Sequence, residues 1–305
     1  MTIALHITVI IITFVTLWKG ADWIVESAAR VARRLGLSEL VIGLTVVAIG
    51  TSAPEFAVSI TAAIKGQADI TIGNIVGSNI FNLGFILGGV SIFGAAVITR
   101  RMLFRDGGML IGTGLLLTAM LADGVLVSWE GILLLSLLVS YIIFLFIQKH
   151  PIEENIPTGA FRWWDVPLIV LGITIVVTSA HFLIGSASEL ARLAGVSEWL
   201  IGVTIVAIGT SMPELATSFI AILRGRHGIS IGNLIGSDLF NLLGVLGLAA
   251  VLRPLAVTGD AWESIVILAV FMVIVVVMMR TGWRISRTEA VILLILTAFR
   301  WYMNM

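Results

Sequence analysis

Residues 36–55 read GLSELVIGLTVVAIGTSAPE and residues 195–214 read GVSEWLIGVTIVAIGTSMPE, identical at 14 of 20 positions without a gap. The same offset of 159 residues carries ITIGNIVGSNIFNLGFILG, from Ile70, onto ISIGNLIGSDLFNLLGVLG, from Ile229. Shared hydrophobicity makes two segments alike in composition, not identical at this density, so the chain is a duplication. Whatever it folds into must be built from two copies of one unit.

The unit is dissolved in lipid. Of the 305 residues 59% are hydrophobic and 12% charged, with mean hydropathy +1.11, whereas a soluble domain carries about a quarter charged residues. Apolar runs of about 17–25 residues are the spanning unit of a bilayer. Ten are present, at 3–30, 38–64, 69–93, 107–122, 125–148, 164–191, 197–223, 228–252, 260–280 and 287–303. The first and sixth are long and end in polar stretches, SAARVARRLG and SASELARLAG, expected to be turns. The first run lacks a basic leader and a small-residue cleavage site, so it is expected to be a membrane helix and not a signal peptide. Between the fifth and sixth lies QKHPIEENIPTGAFRW, with two prolines and a charge cluster. This divides the chain into a first repeat, residues 1–148, a linker, 149–163, and a second repeat, 164–305.

Five spans per copy is an odd number, so the second copy enters the membrane from the opposite side. The expected fold is therefore an all-α integral membrane protein of ten transmembrane helices arranged as two inverted five-helix repeats. The basic residues test this arrangement independently. Arg30, Arg33, Arg34, Arg100, Arg101, Arg105, Lys149, Arg162, Arg224, Arg226, Arg280, Arg284 and Arg287 fall at odd-numbered loops, against Lys65, Arg192, Arg253 and Arg300 at the other face. Because cytoplasmic loops carry the excess of Lys and Arg, both termini are expected outside and the linker in the cytoplasm of a multi-pass plasma-membrane protein.

GTSAPE and GTSMPE place Glu55 and Glu214 well inside the hydrocarbon layer, where an ionised carboxylate costs several kcal/mol unless ligated, paired or hydrated. Pro54 and Pro213 cannot donate a backbone hydrogen bond, which strands the carbonyls of Gly50 and Gly209. Thr51, Ser52, Thr210 and Ser211 add hydroxyls on the same turn. The third and eighth spans share Gly-Asn-x-x-Gly-Ser-x-x-Phe-Asn, and its spacing of four puts Asn74, Ser78 and Asn82, and likewise Asn233, Ser237 and Asn241, on one helical face. The glycines at 73, 77, 232 and 236 admit a close neighbour. The result is an oxygen-only site suited to Na⁺, Ca²⁺ or another hard cation, without the thiolate or imidazole that favours zinc or copper. Two carboxylates match one divalent cation.

In these motifs and in its ten-helix inverted layout the chain resembles the sodium/calcium exchangers of the cation/calcium exchanger superfamily, over both repeats nearly end to end. The resemblance implies that Glu55 and Glu214 bind Ca²⁺ and share Na⁺. It implies that the carbonyls of Thr51 and Thr210 join the Ca²⁺ site, that Ser52, Ser78, Ser211 and Ser237 hold Na⁺, and that Asn82 and Asn241 sit at the central position. It further implies a sliding motion of the first and sixth helices. Some members carry aspartate where this chain has Asn241; asparagine at both central positions resembles the potassium-independent exchangers. Asp238, whose repeat mate is Asn79, lies one turn from the site. It either adds a proton-binding group or faces a neighbouring helix, which leaves Na⁺ or H⁺ open as the driving ion.

Other residues receive structural readings. Asn74 and Asn233 sit a turn further along and brace helices as readily as they bind ions. Trp163 and Trp164 are expected to anchor the membrane interface. His6, His150, His181 and His227 show no metal spacing, and Glu153 and Glu154 belong to a solvated linker. Zero net charge argues against nucleic acid as a partner, and the absence of cysteine removes disulfides and thiolate chemistry. The expected function is exchange of Ca²⁺ for Na⁺ by a transporter that is not an enzyme and needs no cofactor beyond its transported ions. H⁺/Ca²⁺ exchange is the alternative, followed by a passive cation channel and an intramembrane hydrolase. Hydrolysis suits this pair poorly, because an acid and a base need different surroundings and these glutamates have nearly identical ones.

Overall fold

A computed structural model describes residues 3–94, 96–148, 159–197, 201, 205, 207–257 and 259–304. Most of the linker, with His150, Glu153 and Glu154, and most of 198–206 in the seventh run lie outside the described residues. Helices fill the predicted runs, and we number them by span. They are α1 (Ile3–Leu35), α2 (Glu39–Thr51 and Ala53–Ile64), α3 (Ala68–Phe93), α4 (Met102–Gly107 continuing through Gly108–Met120) and α5 (Ser128–Ile147). In the second repeat they are α6 (Asp165–Leu193), α7 (Ala207–Thr210 and Met212–Leu223 among its described residues), α8 (His227–Leu252), α9 (Gly259–Arg280) and α10 (Arg287–Asn304).

The polar stretches ending α1 and α6 are helix, not turns as expected. SAARVARRL stays helical because its small and apolar side, Ala28, Ala29, Val31 and Ala32, is buried while Arg33 and Arg34 occupy the last turn, where cations suit the helix dipole. What ends each helix is the glycine that follows. Gly36 at φ +69° and Gly195 at φ +82° occupy the left-handed region that caps helices and that other residues adopt at a cost.

Helix α1 lies along α6, and the two cross at paired glycines. A Cβ on Gly20 would sit 3.1 Å from the Gly172 carbonyl oxygen, and one on Gly172 would sit 2.9 Å from that of Gly20. Arg30 ties the pair at one end, donating from Nε to Asp165 Oδ1 at 2.9 Å. The remaining helices enclose a larger apolar core that runs from Leu37, just before α2, through α3, α4, α5 and α8 to Leu293 on α10. Glycines again set the closest approach: a Cβ on Gly236 of α8 would meet the Leu44 carbonyl oxygen of α2 at 2.5 Å.

Among the described residues four two-residue strands escape prediction, because a span of two residues carries no periodicity. β1 (Ala96–Val97) pairs antiparallel with β4 (Arg284–Ile285), and β2 (Val125–Leu126) with β3 (Leu255–Ala256). Each pairing joins one repeat to the other. At an offset of 159, β1 is the mate of β3 and β2 of β4, so the two ladders are images of each other. Buried ion pairing adds a further cross-link, from Arg226 Nη1 to Glu39 Oε1 at 2.7 Å.

Candidate cation site

The proline of each motif breaks its span one residue after the motif threonine. In α2 the two arms meet at 53°, with Ser52 at φ −79°, ψ 12°, and Pro54 opens the second arm, where its missing N–H costs nothing. Ser211 takes the same conformation in α7, φ −89° and ψ 10°, ahead of Pro213. Each break turns a serine hydroxyl sideways, out of its own span and across the interface between repeats. Ser52 Oγ donates to Glu214 Oε1 at 2.9 Å, and Ser211 Oγ donates to Glu55 Oε1 at 3.0 Å. All four side chains are buried, Glu55 to 1% exposure and Glu214 to none.

Helices α3 and α8 close round this pair. Ser237 Oγ donates to Glu214 Oε1 at 3.3 Å, whereas its mate Ser78 donates within its own helix to the Ile75 carbonyl at 3.1 Å and accepts from Asn241 Nδ2 at 3.4 Å. Asn82 and Asn241 stand where the α-helix widens into a π-type turn, residues 81–86 and 240–245, a distortion frequent at functional sites. Both amides are spent on the opposite repeat. Asn82 Nδ2 donates to Asp238 Oδ1 at 3.0 Å, and Asn241 Nδ2 to Asn79 Oδ1 at 3.1 Å.

Asn74 and Asn233 do not reach a carboxylate. Their amides donate to the backbone carbonyls of Glu55 and Glu214, at 3.3 and 3.5 Å, and to Ser59 and Ser218 hydroxyls, at 2.9 and 3.0 Å. They brace the glutamate backbones, and Ser59 and Ser218, which the sequence reading passed over, serve as acceptors. The signal was available, since both serines follow their glutamate by four residues and repeat at the constant offset. Thr51 turns its hydroxyl to Asn233 Oδ1 at 3.0 Å, so this brace also crosses between repeats. Thr210 holds the mate position, buried to 6% exposure.

The donors of the cluster are used up before its acceptors are. Glu55 Oε2, Glu214 Oε2, Asn82 Oδ1, Asn241 Oδ1 and Asp238 Oδ2 are all buried without a protein hydrogen-bond partner. Buried polar atoms are nearly always satisfied, and carboxylate and amide oxygens left bare in this way are of the donor type that hard cations take. Among the described residues no group of three or more His, Cys, Asp and Glu is gathered to hold a metal ion, so the amide, hydroxyl and carbonyl oxygens must complete any cation site here. A cavity of about 590 Å³ is lined by Ile80 of α3 and by mainly apolar residues of α9 and α10, together with Glu263, Ser264 and Arg300, and by neither glutamate.

Comparisons with known proteins identify the family and the fold. The family model described as sodium/calcium exchanger protein matches residues 5–147 and again 164–303. CaxA of Alkalimonas amylolytica is 36% identical, over 93% of this chain and 94% of its own length. The sodium/calcium exchanger MaX1 of Methanosarcina acetivorans is 31% identical over 96% of both chains, and the inner membrane protein YrbG of Escherichia coli is 33% identical over 77% of this chain. The structure of the sodium-calcium exchanger NCX_Mj superimposes with a TM-score of 0.88 over 100% of both chains, at 27% identity. The ten-helix, two-repeat architecture is thus shared along the whole chain, and the protein is a membrane cation antiporter belonging to the sodium/calcium exchanger family.

Proposed function

We propose that this chain exchanges Ca²⁺ for Na⁺ across the membrane by alternating access, with Glu55 and Glu214 as the shared ligands. The observation that carries the reading is the crossed serine pair. Ser52 and Ser211 each hold one oxygen of the opposite repeat's glutamate and leave the other oxygen, Oε2, without a protein donor. Two carboxylates presented in this way neutralise one Ca²⁺, or several Na⁺ in turn with the help of hydroxyl, amide and carbonyl oxygens from Thr51, Thr210, Ser78, Ser237, Asn82 and Asn241.

Obligatory exchange follows from the charge. An empty site holding two ionised carboxylates is expensive in a medium of low dielectric constant, so the site crosses between its two accessible states only when filled. The moving part on this reading is the α1–α6 pair, which touches both broken spans: a Cβ on Gly50 would overlap Ile173 of α6, and one on Gly209 would overlap Ile184 of the same helix. Sliding of α6 therefore passes both motif glycines, coupling the two halves of the site to one motion. The excess of basic residues at odd-numbered loops supports termini outside and the linker in the cytoplasm, in the plasma membrane of the cell.

The coupling ion is tested in proteoliposomes. With the purified chain reconstituted, a Na⁺ gradient is expected to drive uptake of radiolabelled Ca²⁺, and a pH gradient of equal size is not. Uptake driven by the pH gradient alone would replace Na⁺ by H⁺ in this reading.

A further inference from the structure

The polar side chains of the site described above are the same in both repeats, and beside them the repeats differ in charge at one place. Asn79 on α3 and Asp238 on α8 are mates at the constant offset, and both are buried to 0% exposure. They also occupy equivalent positions in the hydrogen-bond pattern. Asn79 Oδ1 accepts from Asn241 Nδ2 at 3.1 Å, and Asp238 Oδ1 accepts from Asn82 Nδ2 at 3.0 Å. The same acceptor is needed on both sides and the neutral amide supplies it adequately on one, so the second carboxylate oxygen is surplus to bracing.

That oxygen, Asp238 Oδ2, is buried without a partner, and among the described residues Asp238 makes no ion pair. Asp238 lies within one side chain of the cargo ligands on two sides. It holds the amide of Asn82, whose Oδ1 is itself bare, and it follows Ser237, which donates to Glu214. A carboxylate buried in the membrane with no basic partner is neutralised either by a proton or by a bound cation.

We propose that Asp238 is a cargo ligand, a third carboxylate carried by the second repeat alone, whose Oδ2 joins Asn82 Oδ1 and Asn241 Oδ1 in holding a monovalent cation. The inference rests on the antiport reading above. Glu55 and Glu214 already balance one Ca²⁺, so a third negative charge is matched by Na⁺ and shapes Na⁺ recognition more than Ca²⁺ recognition. It also makes the asymmetry between the repeats one of charge: the α8 side of the site is the more negative.

The inverted repeat supplies the test, since the charge can be moved to its mate. Asp238→Asn is compared with the swap Asn79→Asp/Asp238→Asn, using the full chain in proteoliposomes and, for binding, the rise in Tm of the detergent-purified chain on adding Na⁺ or Ca²⁺. Asp238→Asn is expected to raise the Na⁺ concentration that half-displaces radiolabelled Ca²⁺ by about tenfold or more, and to change the half-saturating Ca²⁺ concentration by less than about threefold. The swap is expected to recover most of the loss, because the carboxylate returns to the equivalent position. Unchanged Na⁺ dependence in Asp238→Asn overturns the proposal. So do equal impairment of two monodisperse variants and failure of both to fold, which mark Asp238 as a packing group. A swap that folds and binds Na⁺ where the single variant does not fold supports it. A wild type that binds both ions without counterflow overturns only the antiport reading, and the swap is then scored by binding; a wild type stabilised by neither ion overturns both.

Discussion

Ser52 of the first repeat donates its hydroxyl to Glu214 of the second at 2.9 Å, and the mates of these two residues, Ser211 and Glu55, make the same bond at 3.0 Å in the reverse direction. Neither motif is complete on its own. Each glutamate is oriented by the serine of the other copy, so a change in one repeat is felt at the carboxylate of the other. Leaving a buried acceptor without its donor costs roughly 1–3 kcal/mol, and more when it is charged. Ser52→Ala is therefore expected to weaken cation binding by about tenfold or more through Glu214, and Ser211→Ala to do the same through Glu55. Because both serines serve one shared site, the double variant is expected to lose less than the sum of the two. Binding isotherms of the four proteins check this.

Asn233 anchors the backbone of Glu214 and accepts from Thr51, which makes it a brace between the repeats. Asn233→Ala is expected to lower stability, as loss of a cross-repeat brace, by about 1 kcal/mol, within the range of interhelical hydrogen bonds in membranes. Its selectivity between Na⁺ and Ca²⁺ is expected to match that of the wild type. Melting curves with and without each ion separate the two effects; Asn82→Ala, by contrast, is expected to alter selectivity.

The crossing of α1 and α6 leaves no room for side chains. Gly172→Val would press a branched side chain against the Gly20 carbonyl oxygen and Ile24. Overpacking of this kind costs about 1–3 kcal/mol. The variant is expected to melt earlier and to exchange more slowly, while its equilibrium affinity for Ca²⁺ falls less than its rate. The comparison of flux with binding at one temperature reads this out.

Arg226 is buried to 2% exposure against Glu39 at 2.7 Å, linking the α7–α8 turn to the start of α2. Removing one partner of a buried ion pair leaves an uncompensated charge and costs about 3–5 kcal/mol. Arg226→Gln is expected to be strongly destabilised, and Arg226→Gln/Glu39→Gln to recover much of the loss. The repeat mate of Arg226 is Gln67, so the first repeat lacks this pair, and Gln67→Ala is expected to be nearly silent. Thermal unfolding in detergent measures all three.

Much of this was legible from residues alone because a membrane limits the alternatives. Proline beside glutamate inside a span has few structural uses, and the constant offset forced the two copies together. The bends at Ser52 and Ser211 and the burial of Glu55 and Glu214 follow from that. The sequence could not say which serine meets which glutamate, since that depends on how the arms of α2 and α7 are turned at their breaks. For the same reason Asn74 and Asn233, on the same stripe as Asn82 and Asn241, were indistinguishable from ligands until the helices widened at Phe81 and Phe240. The polar end of α1 reads as a turn from its charges, which mask a buried alanine face. Asp238 stood out as an unmatched mate, but only its contact with Asn82 across the repeats shows what it touches.

On the function proposed above, one site held by Glu55 and Glu214 together carries both ions in alternation. The most direct test is radiolabelled Ca²⁺ uptake into proteoliposomes with and without a counter-ion inside, for the wild type, Glu55→Gln and Glu214→Gln. Uptake is expected to require internal Na⁺ or Ca²⁺ in the wild type and to vanish in each single variant. Uptake that proceeds equally with no counter-ion, or that survives in either glutamine variant, would contradict a shared site and obligatory exchange.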